Sequence, residues 1–263
     1  MSDTATERQP ESGVPEPEDD SGKMTFLEHL DELRKRLVHI AAYVGLGFLA
    51  SFYFHKPLYD FISVPFYRAA PEGVKLVYTN LTGPFTLYMK VSFIAGIFLT
   101  IPLTLYEVWK FIAPGLYRKE KRYIVPFLTS SVFLFVGGGA FCYLVVLPQA
   151  YRFLIDFGSS FNPMVTIDAY FDLTTMMLLG FGLAFEMPVI VAFLSMFGLV
   201  TAGFLWRNFR YSIVAIVVLA AMLSPTGDLF NLALWSAPMI LLYILSIGIA
   251  AILTRRRKKL GLV

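Results

Sequence analysis

The fold is decided by one uncharged stretch, IVPFLTSSVFLFVGGGAFCYLVVLPQ, which occupies residues 124–149. No Asp, Glu, Lys or Arg occurs in it, and the same holds for residues 229–254. Residues 173–206 carry a single charge, Glu186. A helix of about 20 apolar residues crosses the roughly 30 Å hydrocarbon core of a bilayer. The sequence therefore predicts a helical protein that crosses a membrane several times.

The composition excludes several classes of soluble protein. Of the 263 residues, 57% are hydrophobic and 16% are charged, against about 25% charged in an ordinary soluble domain. The single cysteine, Cys142, excludes a disulfide framework and a cysteine-based metal site. The three histidines are scattered, and no GxxxxGK[ST] phosphate loop occurs. We therefore expect no enzyme, no cofactor, no metal and no nucleic-acid partner.

Six apolar segments are predicted to span the membrane, at residues 37–54, 86–106, 124–147, 173–196, 211–223 and 229–253. An even number places both termini on one side. That side holds 17 of the 22 Lys and Arg residues and the other side holds five, so the termini are predicted to be cytoplasmic. We thus predict an all-α membrane domain over residues 24–254. A disordered acidic tail (residues 1–23) precedes it, and a basic tail (residues 255–263) follows it.

Two segments depart from this simple pattern. The fifth segment has room for a helix of only about 20 Å, so a re-entrant hairpin formed by the last two segments, with four full spans, is an alternative. The outer segment, residues 55–84, holds apolar side chains at helical spacing between prolines. That spacing is typical of a short amphipathic helix at the outer membrane interface.

Two acidic residues lie on the helix that leads into the first span. Glu28 completes the capping box TFLE, in which Thr25 is the N-cap. Glu32 lies one turn further on, beyond any cap. There it either forms an i,i+4 pair with Arg36 or serves a function at the cytoplasmic membrane surface. The residues alone leave both alternatives open.

Two further acidic residues lie within or beside the apolar segments. Glu186 falls near the middle of the fourth span, where an ionised carboxylate costs at least about 2.5–3.5 kcal/mol. It is therefore either functional or a neutral acid hydrogen-bonded to another helix. Pro188 bends the same helix and frees a backbone carbonyl beside Glu186. Asp228, which closes the outer turn SPTGD, either caps the sixth span or has a function.

The remaining interpretations concern packing and the membrane interface. Glu107, at the cytoplasmic end of the second span, is expected to lie near water. Trp109 and Trp206 fit an aromatic belt at the interface. The small residues around Gly47, and the triplet at residues 137–139, predict a close approach of helices.

Five motifs, in this order and spacing, closely resemble the TatC family, the large membrane subunit of the twin-arginine protein translocase. They are HLDELRKR (29–36), YEVWKFIAP (106–114), LYRKEKR (116–122), FEMP (185–188) and SPTGD (224–228). The resemblance covers about residues 26–253. It implies a cupped arrangement of six helices with short fifth and sixth spans, in a bacterial inner membrane.

The resemblance also implies a signal-peptide site. In the family, carboxylates at the positions of Glu32 and Glu120 recognise the paired arginines of a signal peptide, on a cytoplasmic surface that includes Phe111, Arg34 and Arg36. Two carboxylates can each accept bidentate hydrogen bonds from a guanidinium group, and lysine fits that geometry less well.

The other implied roles lie within the membrane. Glu186, with Asp228 and Pro188, would contact small single-span partner subunits of the TatA/TatB type. Pro65, Pro102 and Pro114 match structural prolines of the family, whereas Glu107 stands where an amide is familiar.

The implied function is a receptor and scaffold for proton-motive-force-driven export of folded proteins, self-associated in a multimeric complex. Two rival functions are open: a secondary transporter with Glu186 as its proton site, and an assembly hub with recognition in another subunit.

Overall fold

The computed structural model describes residues 26–71, 73–112, 124–161, 164–224 and 228–259. Apart from one isolated bridge between Val77 and Thr166, the regular structure of these ranges is helical. The α-helices, in chain order, are α1 Phe26–Tyr53, α2 His55–Ala69, α3 Gly83–Ile112, α4 Ile124–Phe141, α5 Leu147–Phe157, α6 Ile167–Ala184, α7 Met187–Met196, α8 Ala202–Arg207, α9 Phe209–Leu223 and α10 Leu229–Lys259.

The predicted all-helical membrane architecture is confirmed. Among the described residues, five helical stretches are long and apolar enough to cross a membrane: Leu27–Tyr53, Gly83–Ile112, Ile124–Phe157, Ile167–Met196 and Leu229–Arg255. Helix α9 has 15 residues, which gives about 22 Å at 1.5 Å per residue. It is apolar but shorter than the roughly 30 Å core. The count of six spans and the cytoplasmic location of both termini stay predictions.

Helices α1 and α3 cross in close contact at a pair of glycines. A Cβ atom built on Gly47 would lie 2.7 Å from the carbonyl oxygen of Gly96, and one built on Gly96 would lie 2.6 Å from the amide nitrogen of Phe48. Since these neighbours are backbone atoms, only glycine fits at the crossing. The predicted small-residue contact around Gly47 is therefore confirmed, whereas Gly45 faces open space.

A second close contact joins α4 to its neighbours. A Cβ on Gly138 would lie 2.6 Å from the carbonyl oxygen of Phe181, and one on Gly139 would lie 2.5 Å from the Phe98 ring. Beyond these glycines a π-helical turn, Cys142–Val146, joins α4 to α5 without a break. The predicted close approach of helices at residues 137–139 is confirmed for two of the three glycines.

The predicted helix in the outer segment is also confirmed. Helix α2 contains Pro65 and buries Phe66 to 1% exposure. Two tyrosine hydroxyls donate hydrogen bonds to its backbone: Tyr143 to the Phe61 carbonyl at 2.6 Å and Tyr170 to the Ile62 carbonyl at 2.7 Å. Helix α2 is thereby fixed across the ends of the long helices.

Candidate functional site

The described part of the candidate site lies where the beginning of α1 meets the end of α3. Along α3, the positions of Gly96, Thr100, Glu107 and Phe111 share one face at spacings of four, seven and four residues. Gly96 and Thr100 contact α1 at Gly47. The same face of α3 therefore carries Glu107 and Phe111 toward the first turns of α1.

The ring of Phe111 stacks on the ring of His29, with 4.4 Å between ring centroids and an interplanar angle of 19°. This contact joins the beginning of α1 to the end of α3. It brings two of the recognised motifs together, since His29 opens the first and Phe111 belongs to the second.

The centre of the cluster is the guanidinium group of Arg36, which is shared between two carboxylates. Its Nη2 donates to Glu32 Oε1 at 3.0 Å, and its Nη1 donates to Glu107 Oε2 at 2.7 Å. The side chains of Arg36 and Glu32 are 16% and 15% exposed. The i,i+4 pair that the sequence offered for Glu32 therefore forms.

The burial of Glu107 differs from what the sequence predicts. It was expected near water, but its side chain is 4% exposed. The Tyr43 hydroxyl donates to its Oε1 at 3.3 Å, and His39 Nδ1 lies 3.6 Å from the same oxygen. Because a buried carboxylate is stable only with partners, the interaction with Arg36 explains how Glu107 is accommodated.

Two polar atoms of the cluster are buried without a hydrogen-bond partner among the described residues. They are Glu32 Oε2 and Arg36 Nε. Arg36 thus donates to one oxygen of the Glu32 carboxylate, Oε1, and the other oxygen, Oε2, accepts no hydrogen bond from the described residues.

Several predicted site residues lie elsewhere. Arg34 is exposed on α1, two residues from both Glu32 and Arg36 and therefore on a different face of the helix. Glu120 and Pro114 lie outside the described residues, so the predicted pairing of Glu32 with Glu120 stays a prediction. Glu28 is exposed on the first turn of α1. Its capping partner Thr25 is likewise outside the described residues.

Glu186 lies at a break between α6 and α7. Its amide donates to the Leu183 carbonyl at 3.1 Å, and Pro188 follows in the first turn of α7. Proline has no N–H to donate to the carbonyl four residues earlier, that of Ala184. The helix is therefore interrupted beside Glu186, where the sequence predicts a bend.

A buried polar contact joins α3 to α4. Trp109 Nε1 donates to Ser131 Oγ at 3.3 Å. Glu186 is 9% exposed, and its Oε1 has no partner among the described side and main chains. Both alternatives for Glu186, a functional acid and an acid hydrogen-bonded to another helix, stay predictions.

Trp109 is a second correction. It was expected in an interfacial belt, but it is buried at 6% exposure. Its ring stacks on Phe127 at 5.3 Å between centroids and meets Phe193 edge-on at 5.1 Å. Trp206, by contrast, is 67% exposed, as expected for an interfacial tryptophan.

Asp228 caps α10. Its Oδ1 accepts from the Asn231 amide at 2.8 Å, and its Oδ2 accepts from Asn231 Nδ2 at 2.9 Å. The capping alternative is therefore confirmed, and it does not exclude a further role. Pro102 lies inside α3 and Pro65 inside α2, as structural residues of these helices.

An apolar groove of about 840 Å³ lies between α1, α2, α3 and α4. Its lining includes Phe54, Phe61, Phe98 and Leu144. Nearly all of its surface is carbon, so it suits a hydrophobic segment or chain rather than a polar solute.

Sequence analysis missed the importance of Glu107 and of the Trp109–Ser131 contact. A signal for Glu107 was present, because it falls seven residues after Thr100 and shares its helix face. No comparable signal linked Trp109 to Ser131, since they lie on different helices and their contact depends on tertiary packing.

The buried acid–base cluster, the broken fourth span and the long apolar helices define the class of protein: a polytopic helical membrane protein with a charged site at one end of its bundle. A family model described as "TatC: Sec-independent protein translocase protein (TatC)" matches residues 28–238. The chain is 49% identical over 241 residues to the Sec-independent protein translocase protein TatC of Koribacter versatilis, covering 90% of this chain and 89% of that one. It is 35% identical to the TatC protein of Aquifex aeolicus, covering 90% and 99% of the two chains.

A solved structure agrees. The crystal structure of a twin arginine translocase receptor, TatC, superposes with a TM-score of 0.77 at 34% identity, covering 86% of this chain and 99% of that chain. The chain therefore belongs to the TatC family. It is a transport protein, the TatC subunit of the Sec-independent protein translocase, and a multi-pass protein of the bacterial inner membrane.

Proposed function

We propose that this TatC subunit is the receptor for twin-arginine signal peptides and the scaffold on which small single-span Tat subunits assemble. Recognition takes place at the cytoplasmic ends of α1 and α3. The observation that carries the proposal is the cluster around Arg36, in which carboxylates on two helices hold one guanidinium group at 2.7 and 3.0 Å. The carboxylates of this surface already bind the guanidinium group of an arginine.

The proposal assigns one guanidinium of the signal peptide to Glu32 and the other to Glu120. Glu32 Oε2 supports this assignment, because it is a buried acceptor without a partner among the described residues. Leaving such a group unpaired costs about 1–3 kcal/mol, and an incoming guanidinium would relieve that cost. In this proposal Phe111 and Arg36 flank the arginine pair, and Arg34 contributes from the exposed face of α1.

The apolar part of the signal peptide then inserts beside the long helices. The groove lined by Phe54, Phe61 and Phe98 supports this step, since its apolar surface can pack against a hydrophobic segment within the membrane. Glu186, with Pro188 and Asp228, forms the intramembrane contact for the small partner subunits. Its buried Oε1 offers an acceptor to a polar group of a partner helix.

The energy comes from the proton-motive force, which supplies about 2.3 kcal/mol per charge per 100 mV. The subunits act as a multimeric complex in which several copies of this chain present their receptor sites. Both termini face the cytoplasm in this proposal, so the receptor surface meets precursors before they enter the membrane.

Binding of a labelled twin-arginine precursor to the purified full chain tests recognition. Glu32→Gln and Glu120→Gln keep the shape of the side chain and remove its charge. We expect each to weaken binding about tenfold, the size of one lost charge-assisted hydrogen bond. Asp31→Asn is the matched control, because Asp31 pairs with Lys35 on the exposed side of α1 (2.8 Å, 55% exposed). Parental binding by both glutamine variants would contradict the proposal.

A second function, an assembly hub with recognition in another subunit, is favoured by one observation. Arg36 already pairs with Glu32, and such a pair can be purely structural. Crosslinking a precursor from positions beside Glu32, with and without the small subunits, separates the two functions. The receptor proposal expects labelling of this chain in both cases. Labelling confined to the small subunits would support the hub instead.

A further inference from the structure

We infer that Arg207 and Arg210 form a binding site for the phosphate group of an anionic phospholipid, at the junction of α8 and α9. This site is independent of the proposed signal-peptide site, which uses the ends of α1 and α3. In the predicted topology the junction faces the cytoplasm, so the bound lipid belongs to the inner leaflet of the bilayer.

Helices α8 and α9 carry one continuous stripe of outward-facing side chains. The Asn208 amide donates to the Phe204 carbonyl at 3.1 Å, and the Asn208 carbonyl accepts from the Ser212 amide at 3.0 Å. Because helical hydrogen bonds continue through the junction, residues three or four positions apart share a face across it. The exposed members of that face are Phe204, Arg207, Arg210, Tyr211, Val214 and Val218.

The opposite face of the two helices is fixed against α10. Leu205 is buried, and its carbonyl accepts from the Tyr243 hydroxyl at 2.8 Å. The ring of Phe209 lies 5.9 Å from the ring of Tyr243, centroid to centroid. Since α8 and the start of α9 cannot rotate without losing these contacts, Arg207 and Arg210 are held on the side away from α10.

The start of α9 is recessed along α10. Phe209 lies beside Tyr243, 12 residues before the end of the apolar span at Arg255, which is about 18 Å along a helix. Helix α9 itself measures about 22 Å, and the hydrocarbon core about 30 Å. The helix alone therefore does not bring the two arginines to the average level of the headgroups. Extended arginine side chains and lipid phosphates must approach each other there.

The two arginines need a counter-charge from outside the described residues. Residues 187–227 and 229–259 contain neither Asp nor Glu, and no carboxylate of the described ranges pairs with either arginine. Arg210 donates to the hydroxyl of the adjacent Tyr211 at 3.4 Å. A cation near the hydrocarbon region is costly without a counter-charge. An exposed stripe on a membrane helix is surrounded by lipid, which supplies that anion as phosphate.

The chemistry of the pair favours a lipid with net negative charge. Guanidinium groups form bidentate hydrogen bonds with phosphate oxygens. The choline group of phosphatidylcholine competes with arginine for the phosphate of the same lipid, whereas phosphatidylglycerol has no cation in its headgroup. Trp206 and Tyr211, 67% and 65% exposed, are aromatic residues of the kind that lie at headgroup level. We therefore expect the site to prefer phosphatidylglycerol.

Quenching of tryptophan fluorescence by brominated lipids tests the site. Trp206 is exposed and precedes Arg207, whereas Trp109 and Trp235 are 6% and 1% exposed, so bromine on a lipid chain mainly quenches Trp206. The full chain is reconstituted in phosphatidylcholine bilayers that contain phosphatidylglycerol, with bromine on the chains of one lipid or of the other. Trp206→Phe gives the signal of the two buried tryptophans, which is subtracted.

We expect Trp206 of the parent to prefer phosphatidylglycerol over phosphatidylcholine by about fivefold or more, since each arginine near an anionic surface contributes about fivefold in affinity. In Arg207→Gln/Arg210→Gln the ratio should fall to within about twofold of one. A parent without any preference, or a double variant that keeps the parental ratio, would overturn the assignment.

Lys35→Gln/Lys90→Gln is the matched control. It removes the same amount of charge, but from two side chains that already have a carboxylate at 2.8 Å, that of Asp31 and that of Asp172. It should keep the parental ratio. Loss of the preference in this control would show that net charge alone selects the lipid, and the assignment to Arg207 and Arg210 would fail.

Two further measurements cover the remaining outcomes. If Arg207→Gln/Arg210→Gln does not reconstitute, each single variant is measured and should lower the ratio at least about twofold; parental ratios in both would overturn the site. The arginines could instead bind an acidic group of a small partner subunit. Loss of the small subunits from both single variants on purification, together with no lipid preference in the parent, would establish that alternative and overturn the lipid site.

Discussion

Replacing Gly96 by alanine tests the glycine crossing that positions the candidate site. The added Cβ would lie 2.6 Å from the Phe48 amide nitrogen and 2.8 Å from the Gly47 carbonyl carbon. Both neighbours are backbone atoms, so no side-chain rotation can relieve the contact. Ordinary van der Waals contact begins near 3.4 Å, and α1 must therefore move from α3 by about 0.8 Å.

Overpacking of this kind costs about 1–3 kcal/mol. For a chain of this size we expect the melting temperature of the purified protein to fall by about 3–9 °C. The assay is thermal unfolding in a single detergent, followed by the loss of monodisperse protein after heating.

Gly45→Ala is the matched control, because Gly45 lies on α1 two residues from Gly47 and its added Cβ would meet nothing within 4 Å. It should melt at or slightly above the parental temperature, since alanine is the better helix former. If Gly96→Ala and Gly45→Ala melt at the same temperature, the crossing of α1 and α3 is less tight than the structure shows. The argument that it sets the spacing of α1 and α3 then fails.

Three further predictions concern the polar groups of the long helices. Glu186→Ala should insert at least as well as the parent but lower export or recovery of the small subunits, and export at the parental rate would leave that carboxyl a structural role only. Ser131→Ala should lower the free energy of unfolding by about 1–3 kcal/mol because Trp109 Nε1 loses its acceptor, whereas Ser130→Ala, on the exposed side of α4, should change it little. Asp228→Ala should lower the free energy of unfolding by about 1 kcal/mol because α10 loses its N-cap. Asp228→Asn should keep most of the stability that the cap provides. Equal melting temperatures of the parent and both variants would contradict the capping role.

The long helices could be predicted from the sequence because each is a run of apolar residues with charges only near its ends. The uncharged residues 124–149 and 229–254 needed no tertiary information. Local signals worked as well, since the Asp228 cap and the interruption of the helix before Pro188 depend on residues within one or two turns. The glycines at 47, 138 and 139 were predicted to allow close packing, but their partners were not.

The candidate site was harder to predict because its chemistry depends on contacts between distant residues. Glu107 and Arg36 are separated by 71 residues, and a charge near a helix end is ordinarily solvated. Burial of Glu107 follows only from the crossing of α1 and α3 at Gly96. Trp109 was misplaced for the same reason, since a tryptophan near the end of a span suits the interface equally well.

The most direct test of the account measures whether Glu32 and Glu120 each pair with one arginine of the same signal peptide. A double-mutant cycle combines Glu32→Gln or Glu120→Gln with Arg→Gln at either arginine of the precursor and compares binding free energies. The account predicts a coupling of about 1 kcal/mol or more for one arginine with Glu32 and for the other with Glu120. Additive losses at Glu120, with no coupling to either arginine, would contradict it.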